Sequence, residues 1–213
     1  MTLTFPTFTA GMVLSMSLIM AIGPQNAHVL RMGLQRQHLW LTVAVCAGAD
    51  IVLISLGVFG LAQLGGLSDK LLGALVGAGV LFLGVYGWQA FQRFLKPQAP
   101  ASLDGEPGVQ RRAPAPVTRR QAVLSALAFS VLNPHAWLDT AVLIGSASLA
   151  YGQGSTTFGL GAAAGSVVWF VVLGTAAFWL GRRLNSLHIW RLLDGAVALM
   201  MWGTAAWLLT SLF

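Results

Sequence analysis

Long stretches without a charged side chain are the feature that most limits what this chain can fold into. Residues 1–30 contain no Asp, Glu, Lys or Arg, and neither does the stretch from Thr140 to Gly181. Charged residues make up 8% of the 213 residues, whereas a soluble domain has about 25%. So few charges cannot cover the surface of a soluble domain, and an apolar content of 56% excludes disorder. The sequence therefore predicts an all-α integral membrane protein.

The charge-poor intervals predict six transmembrane helices, because about 20 apolar residues cross the hydrocarbon core. We place these spans at about residues 8–30, 39–64, 71–92, 121–147, 157–180 and 195–213. Turn-forming residues from Tyr151 to Thr157 separate the fourth span from the fifth. Residues 96–120 are rich in Pro and Gly, which indicates a flexible cytoplasmic linker. The linker divides an N-terminal three-helix repeat (1–95) from a C-terminal one (121–213).

The basic residues indicate how the chain is oriented in the membrane. All of the Lys and Arg residues except Lys70 lie in or beside the loops that follow the first, third and fifth spans. Basic loops are cytoplasmic in membrane proteins, so both termini are predicted to lie outside. This distribution also explains the net charge of +6. We therefore expect a lipid bilayer around the protein and no nucleic-acid partner.

Three spans per half is an odd number, so a duplication of the halves requires an inverted-topology repeat, an arrangement typical of transporters. Each half contains a helix-breaking proline at equivalent depth, Pro24 after Gly23 in span one and Pro134 in span four. Proline frees backbone groups that hydrocarbon cannot satisfy, so both spans are predicted to be broken helices facing a polar cavity. The polar residues beside the breaks are candidate substrate ligands: Gln25, Asn26, Asn133 and His135. The alternative is two ordinary kinks whose amides satisfy local backbone groups.

Asp50 and Asp139 are acidic residues inside predicted spans two and four. A charge at this depth costs about 2.5–3.5 kcal/mol on insertion scales, which makes each residue a candidate for function. No Lys or Arg is predicted at similar depth, so the two carboxylates suit a cationic substrate, a proton or both. Trp137 and Trp169 are candidate cavity-lining residues, because a cation is attracted to an indole face. Alternatively, neutral donors on neighbouring helices satisfy each carboxylate.

The sequence gives little support for metal binding or catalysis. His135 and Asp139 are four residues apart, which could form half of a metal site, but two ligands are too few and Cys46 has no cluster around it. We therefore expect no metal and no cofactor. Neither a His-Glu-x-x-His nor a Gly-x-Ser-x-Gly motif occurs. The chain is predicted not to be an enzyme.

Two pairs of glycines have the spacing that permits close approach of membrane helices. They are Gly73 with Gly77 and Gly161 with Gly165. The close approach could occur within one subunit or between two subunits.

Three motifs in order along the chain resemble those of the lysine/arginine exporter family, the bacterial LysE-type amino-acid exporters. They are Gly23–Ala27 followed by Gly33 and Arg36, then Asp50–Ile54, and then Leu132–Thr140. The resemblance implies a secondary transporter of the bacterial cytoplasmic membrane that exports L-arginine, L-lysine or both. It also implies a homodimer driven by the proton-motive force. Export of other amino acids or of a divalent metal remains the alternative.

Overall fold

The computed structural model describes residues 4–21, 23–61, 69–95, 117–181 and 187–210. These residues are almost entirely helical, so the predicted all-α class is confirmed. The helices are α1 (Thr4–Ile19), α2 (Pro24–Gln35), α3 (Leu39–Leu56), α4 (Asp69–Leu95), α5 (Arg119–Val131), α6 (Pro134–Ala136), α7 (Gly145–Leu149), α8 (Ser155–Leu180) and α9 (Leu187–Thr210). A π-helical segment, Gly57–Leu61, extends α3, and another, Trp137–Ile144, joins α6 to α7. A short 3-10 turn, Gly152–Gly154, precedes α8. Residues 96–116 of the predicted linker lie outside the described residues.

Several helices are long and apolar enough to cross a bilayer. Three unbroken candidates are Leu39–Gly60, Gly152–Leu180 and Arg191–Thr210. Two further candidates are bent pairs, and counting each pair as one span gives up to five spans among the described residues. The predicted third span corresponds to α4, whose 27 residues give it a length of about 40 Å. The multi-pass character is confirmed, whereas the count of six and the inverted relation of the halves stay predictions.

The chain bends sharply at both of the prolines identified in the sequence. α1 and α2 make an angle of 79°, and α5 and the Pro134–Leu149 segment make an angle of 59°. Pro24 and Pro134 each lie at the start of a new helix, after Gly23 and Asn133 in extended backbone conformations. Proline is favoured at the first helical position because its missing N–H would be unpaired there anyway. Each proline therefore begins a helix that runs in a new direction.

The long helices pack in pairs, with the bent segments between them. α4 packs along α9 around the buried side chains of Leu83 and Met201, and α3 packs along α8 around Val43 and Phe170. α2 contacts both α8 and α9, while α6 contacts both α4 and α5. Both helix breaks are consequently held inside the bundle.

The backbones of α1 and α8 pack directly against each other. A Cβ atom added to Gly161 would lie 1.9 Å from the carbonyl oxygen of Phe8, and one added to Gly11 would lie 2.0 Å from that of Phe158. A Cβ atom on Gly165 would lie 2.7 Å from a backbone oxygen of α1. The Gly161 and Gly165 pair therefore serves helix packing within the subunit.

α9 begins earlier than the sequence predicts. The sixth span was expected to start at about residue 195, after the charge of Asp194, but the helix begins at Leu187. Asp194 is buried and forms ion pairs with Arg31 of α2 and with Arg93 of α4. A charge that is neutralised by two partners does not have to lie outside the bundle. The stretch of α9 that is apolar enough to cross a bilayer, Arg191–Thr210, begins within a few residues of the predicted start.

Candidate substrate-binding site

A cavity of about 330 Å³ lies where the two helix breaks meet. It gathers residues of both breaks, of α3 and of the C-terminal half of α9. Most of the residues singled out in the sequence line this cavity: Gly23, Pro24, Gln25, Asn26, Asp50, Asn133, His135 and Asp139. The other lining residues include Thr140, Gly203, Thr204 and Trp207. The topology thus brings residues that are far apart in the sequence into one polar cavity.

Asp50 is enclosed by neutral donors. Its side chain is 1% exposed, and Gln25 Nε2 donates to Oδ1 at 3.1 Å while Ser166 Oγ donates to Oδ2 at 2.8 Å. Gln25 Nε2 also lies 3.0 Å from Ser130 Oγ. Within the described part of the chain, no Lys, Arg or His forms an ion pair with Asp50. A buried carboxylate that has no counter-ion in the protein can be neutralised by a bound cation.

Asp139 has a different environment, although both acids line the same cavity. Its Oδ2 lies 3.2 Å from His135 Nε2, and the side chains of His135 and Asp139 are 41% and 16% exposed. The edge of the His135 ring faces Trp207 at a centroid distance of 5.6 Å. Asp139 is therefore the more accessible carboxylate, and it already has an imidazole partner. The site is asymmetric.

The two asparagines mainly stabilise the broken backbone. Asn26 Nδ2 donates to the carbonyl oxygen of Ile19, the last residue of α1, at 2.7 Å and to that of Ala21, just beyond the helix, at 2.8 Å. Asn133 Oδ1 accepts from the backbone N–H of His135 at 3.2 Å and so caps α6. The alternative considered for the sequence, that such amides satisfy local backbone groups, holds for these contacts.

The N-terminus of α2 opens into the cavity without a side-chain cap of its own. Its N-cap residue is Gly23, which has no side chain, and its first turn contains Pro24, Gln25 and Asn26. N–H groups of a first turn have no partner within the helix and carry partial positive charge. A carboxylate from a ligand could therefore bind there. The partial positive charge at this end of the cavity is opposite in sign to the charge of the acidic side chains.

The two tryptophans support the helix breaks. Trp137 Nε1 donates to the carbonyl oxygen of Val131 at 2.9 Å, and Trp169 Nε1 donates to Asn26 Oδ1 at 3.2 Å. Neither tryptophan is among the residues that line the cavity, nor is Pro134. The aromatic residue that does line it is Trp207, which was not singled out in the sequence.

The described residues contain no group of three or more His, Cys, Asp and Glu side chains that could hold a metal ion. His135 and Asp139 form a pair only. Cys46 is buried in an apolar cluster with Val43 and Phe170. Among the described residues that line the cavity, the ionisable side chains are those of Asp50, His135 and Asp139.

Ser166 is a site residue that the sequence did not reveal. Serine is common in membrane helices, and Ser166 is 116 positions from the aspartate to which it donates. Replacing Ser166 with Ala is expected to raise the KM for a cationic substrate roughly tenfold, because Asp50 then lacks one of the donors that orient it. Transport kinetics in proteoliposomes measure this effect, and an unchanged KM would show that Gln25 alone holds the carboxylate. Ser148→Ala is the matched control, since Ser148 Oγ donates only to the carbonyl oxygen of Gly145.

A bundle of apolar helices whose broken segments enclose a polar, acid-bearing cavity defines a membrane transporter. The family model described as LysE type translocator matches residues 16–212. The chain belongs to this family of translocators, and it is not an enzyme.

Named relatives match the chain over most of their length. The arginine exporter protein ArgO of Pectobacterium carotovorum subsp. carotovorum (strain PC1) is 36% identical over 94% of this chain and 95% of its own. The protein of the same name from Serratia proteamaculans (strain 568) is 37% identical over 93% of each chain. No solved structure matches the chain.

Proposed function

We propose that this protein is a secondary transporter that exports basic amino acids, arginine and with it lysine, across the bacterial cytoplasmic membrane. The observation that carries the proposal is Asp50, a buried carboxylate in the cavity whose hydrogen-bond donors, Gln25 and Ser166, are both neutral. The names of the relatives, which are arginine exporters, support the choice of arginine.

The two ends of the cavity suit the two ends of a basic amino acid. The substrate α-carboxylate binds at the uncapped N-terminus of α2, where helix N–H groups favour an anion. The guanidinium or ammonium group of the side chain binds Asp50, and Asp139 binds the α-amino group. A guanidinium can donate two parallel hydrogen bonds to one carboxylate, which favours arginine at this position.

The position of the cavity along α9 supports release of the substrate on the outer side of the membrane. The lining residues Thr204 and Trp207 lie about 15–20 Å along the helix from Asp194. Asp194 lies at the face that carries Arg31 and Arg93, which the positive-inside rule makes cytoplasmic. We infer that both termini are outside and that the described conformation has its binding cavity on the outer side. Alternating access of two inverted repeats then moves the substrate outward.

One of the two aspartates also carries the coupling proton in this proposal. Substrate and proton would compete for the same carboxylate, so the proton-motive force could drive export by exchange. We also propose a homodimer, with the open face of α4 beside Gly73 and Gly77 as the place where a second subunit packs. A Cβ atom at either glycine would meet no atom of the described residues within 4 Å.

Counterflow in proteoliposomes tests the proposed function. Vesicles that contain the purified protein and are loaded with unlabelled arginine are expected to accumulate labelled arginine and lysine transiently. A pH gradient across the vesicle membrane is expected to change the amount of label that accumulates. Vesicles without protein are the control. A panel of neutral amino acids and divalent metals addresses the alternative substrates. Accumulation of these alone, with no arginine or lysine counterflow, would contradict the proposal.

A further inference from the structure

A second cavity, of about 220 Å³, lies on the basic face of the protein and takes no part in the site described above. α2 connects the two cavities, because its first turn lines the acidic cavity while His28 and Arg31 line the second. The rise of a helix separates Gln25 from Arg31 by about 9 Å along the axis. The second cavity is also lined by Tyr86 and Arg93 of α4.

The charge of this second cavity is opposite to that of the first. Asp194 neutralises part of the charge of Arg31 and Arg93, and Arg93 Nε donates to Asp194 Oδ1 at 3.1 Å. Two guanidinium groups share one carboxylate, so a net positive charge remains. The Arg93 guanidinium also lies over the ring of Tyr86 at 5.7 Å, which fixes its orientation.

Two side chains that line the second cavity, those of His28 and Arg93, carry buried hydrogen-bonding atoms that no described residue satisfies. They are Nη2 of Arg93 and both ring nitrogens of His28. His28 is 4% exposed, and its ring is held by stacking on Phe129 at a centroid distance of 4.6 Å. Buried polar groups are normally hydrogen-bonded, so unpaired groups that line a cavity point to a ligand. A guanidinium edge and an imidazole donor that line the same cavity suit a carboxylate.

We propose that this cavity is a binding site for the α-carboxylate of the amino-acid substrate on the basic face, where Arg93 and His28 hold it before it reaches the acidic cavity. This inference rests on the proposed function. The rings of Tyr86 and Phe82 pack on Phe129 beside His28, with centroids 4.4 Å and 4.8 Å from that of Phe129. In this proposal the cluster is the barrier between the two cavities. The first recognition event is therefore of the carboxylate, and the cationic group is recognised beyond this barrier.

Two conservative variants separate this role from a structural one. His28→Phe keeps the ring stacked on Phe129 and removes the two nitrogens. Arg93→Lys keeps a cation for Asp194 and removes the unpaired guanidinium edge. Arg191→Lys is the matched control, because Arg191 stacks on the ring of Phe94 at 5.0 Å and does not line the cavity. Melting temperatures in detergent show whether each variant is folded.

The measurement is uptake of labelled arginine into proteoliposomes from the face of Arg31 and Arg93. Trypsin cleavage at Arg111 and Arg112, in the linker that is predicted to be cytoplasmic, establishes which face is outward. Agmatine, which is arginine without its carboxylate, serves as the competing inhibitor. His28→Phe and Arg93→Lys are each expected to raise the KM for arginine about tenfold, the loss expected for one charge-assisted hydrogen bond. The inhibition constant of agmatine is expected to stay within about twofold of the wild-type value, as is every constant of Arg191→Lys.

The outcomes distinguish this inference from the function on which it rests. If the wild type transports no arginine, the proposed function fails and the inference fails with it. If the wild type transports arginine but the variants keep its KM, the carboxylate site is wrong and the function stands. Equal changes in the KM for arginine and in the inhibition constant of agmatine would likewise overturn the carboxylate site, because they would indicate a structural effect. Equal competition by chloride and acetate at matched ionic strength would identify an unselective anion site and contradict the proposal.

Discussion

Replacing Asp50 with Asn is expected to reduce arginine counterflow by on the order of 100-fold, the loss that follows removal of one partner of a buried charge pair. The substitution removes the charge while preserving the shape of the side chain. Gln25 Nε2 and Ser166 Oγ donate to different carboxylate oxygens, at 3.1 Å and 2.8 Å. The amide oxygen of Asn can still accept from Gln25, and its amide nitrogen can donate to the hydroxyl of Ser166, which also accepts hydrogen bonds. The variant should therefore fold and insert normally. Counterflow and the melting temperature in detergent measure the two effects separately.

Substitutions at two other acidic positions serve as comparisons for this result. Asp104→Asn, in the predicted linker and outside the described residues, is the control for a general effect of lost negative charge, and it should leave counterflow unchanged. Asp139→Asn is expected to have a smaller effect than Asp50→Asn, because Asp139 is partly exposed and already pairs with His135. Full counterflow by the Asp50 variant would contradict the assignment of the substrate cation to this carboxylate.

The residues that the sequence revealed are those whose chemistry does not suit the bilayer. A proline at the middle of a span and an aspartate in an apolar run each require an explanation in hydrocarbon, and Pro24, Pro134, Asp50 and Asp139 were found on that basis. The two prolines lie at equivalent depth in their predicted spans, which predicts that both broken helices face a polar cavity. The structure places both aspartates and both breaks around one cavity.

The sequence could not reveal how these residues are partnered. Ser166 and Asp194 resemble ordinary residues of a span and of a span end, and their partners are more than 100 positions away. The roles of the amides also depend on three-dimensional detail. Asn26 and Asn133 were expected to contact substrate, yet their resolved contacts stabilise the broken helices. Periodicity and depth alone do not distinguish a ligand from a cap, because both require a polar side chain at a break.

Substituting Val for Gly161 is expected to destabilise the fold severely, by about 3 kcal/mol or more. A Cβ atom at this position would lie 1.9 Å from the carbonyl oxygen of Phe8, and that oxygen belongs to the backbone of α1. A backbone atom cannot rotate away as a side chain can, so α1 and α8 must separate. Because α1 leads directly into the first helix break, separation would also displace Gly23 and the N-terminus of α2.

Gly48→Val in α3 is the matched control for this substitution. It introduces the same β-branched residue into another long apolar helix, but a Cβ atom there would meet no described residue within 4 Å, and Gly48 is not part of the α4 face proposed for the dimer. Melting curves in detergent should show a much lower transition temperature for the Gly161 variant and a nearly unchanged one for the Gly48 variant. Equal loss at both positions would trace the effect to the helix preference of valine rather than to packing between α1 and α8.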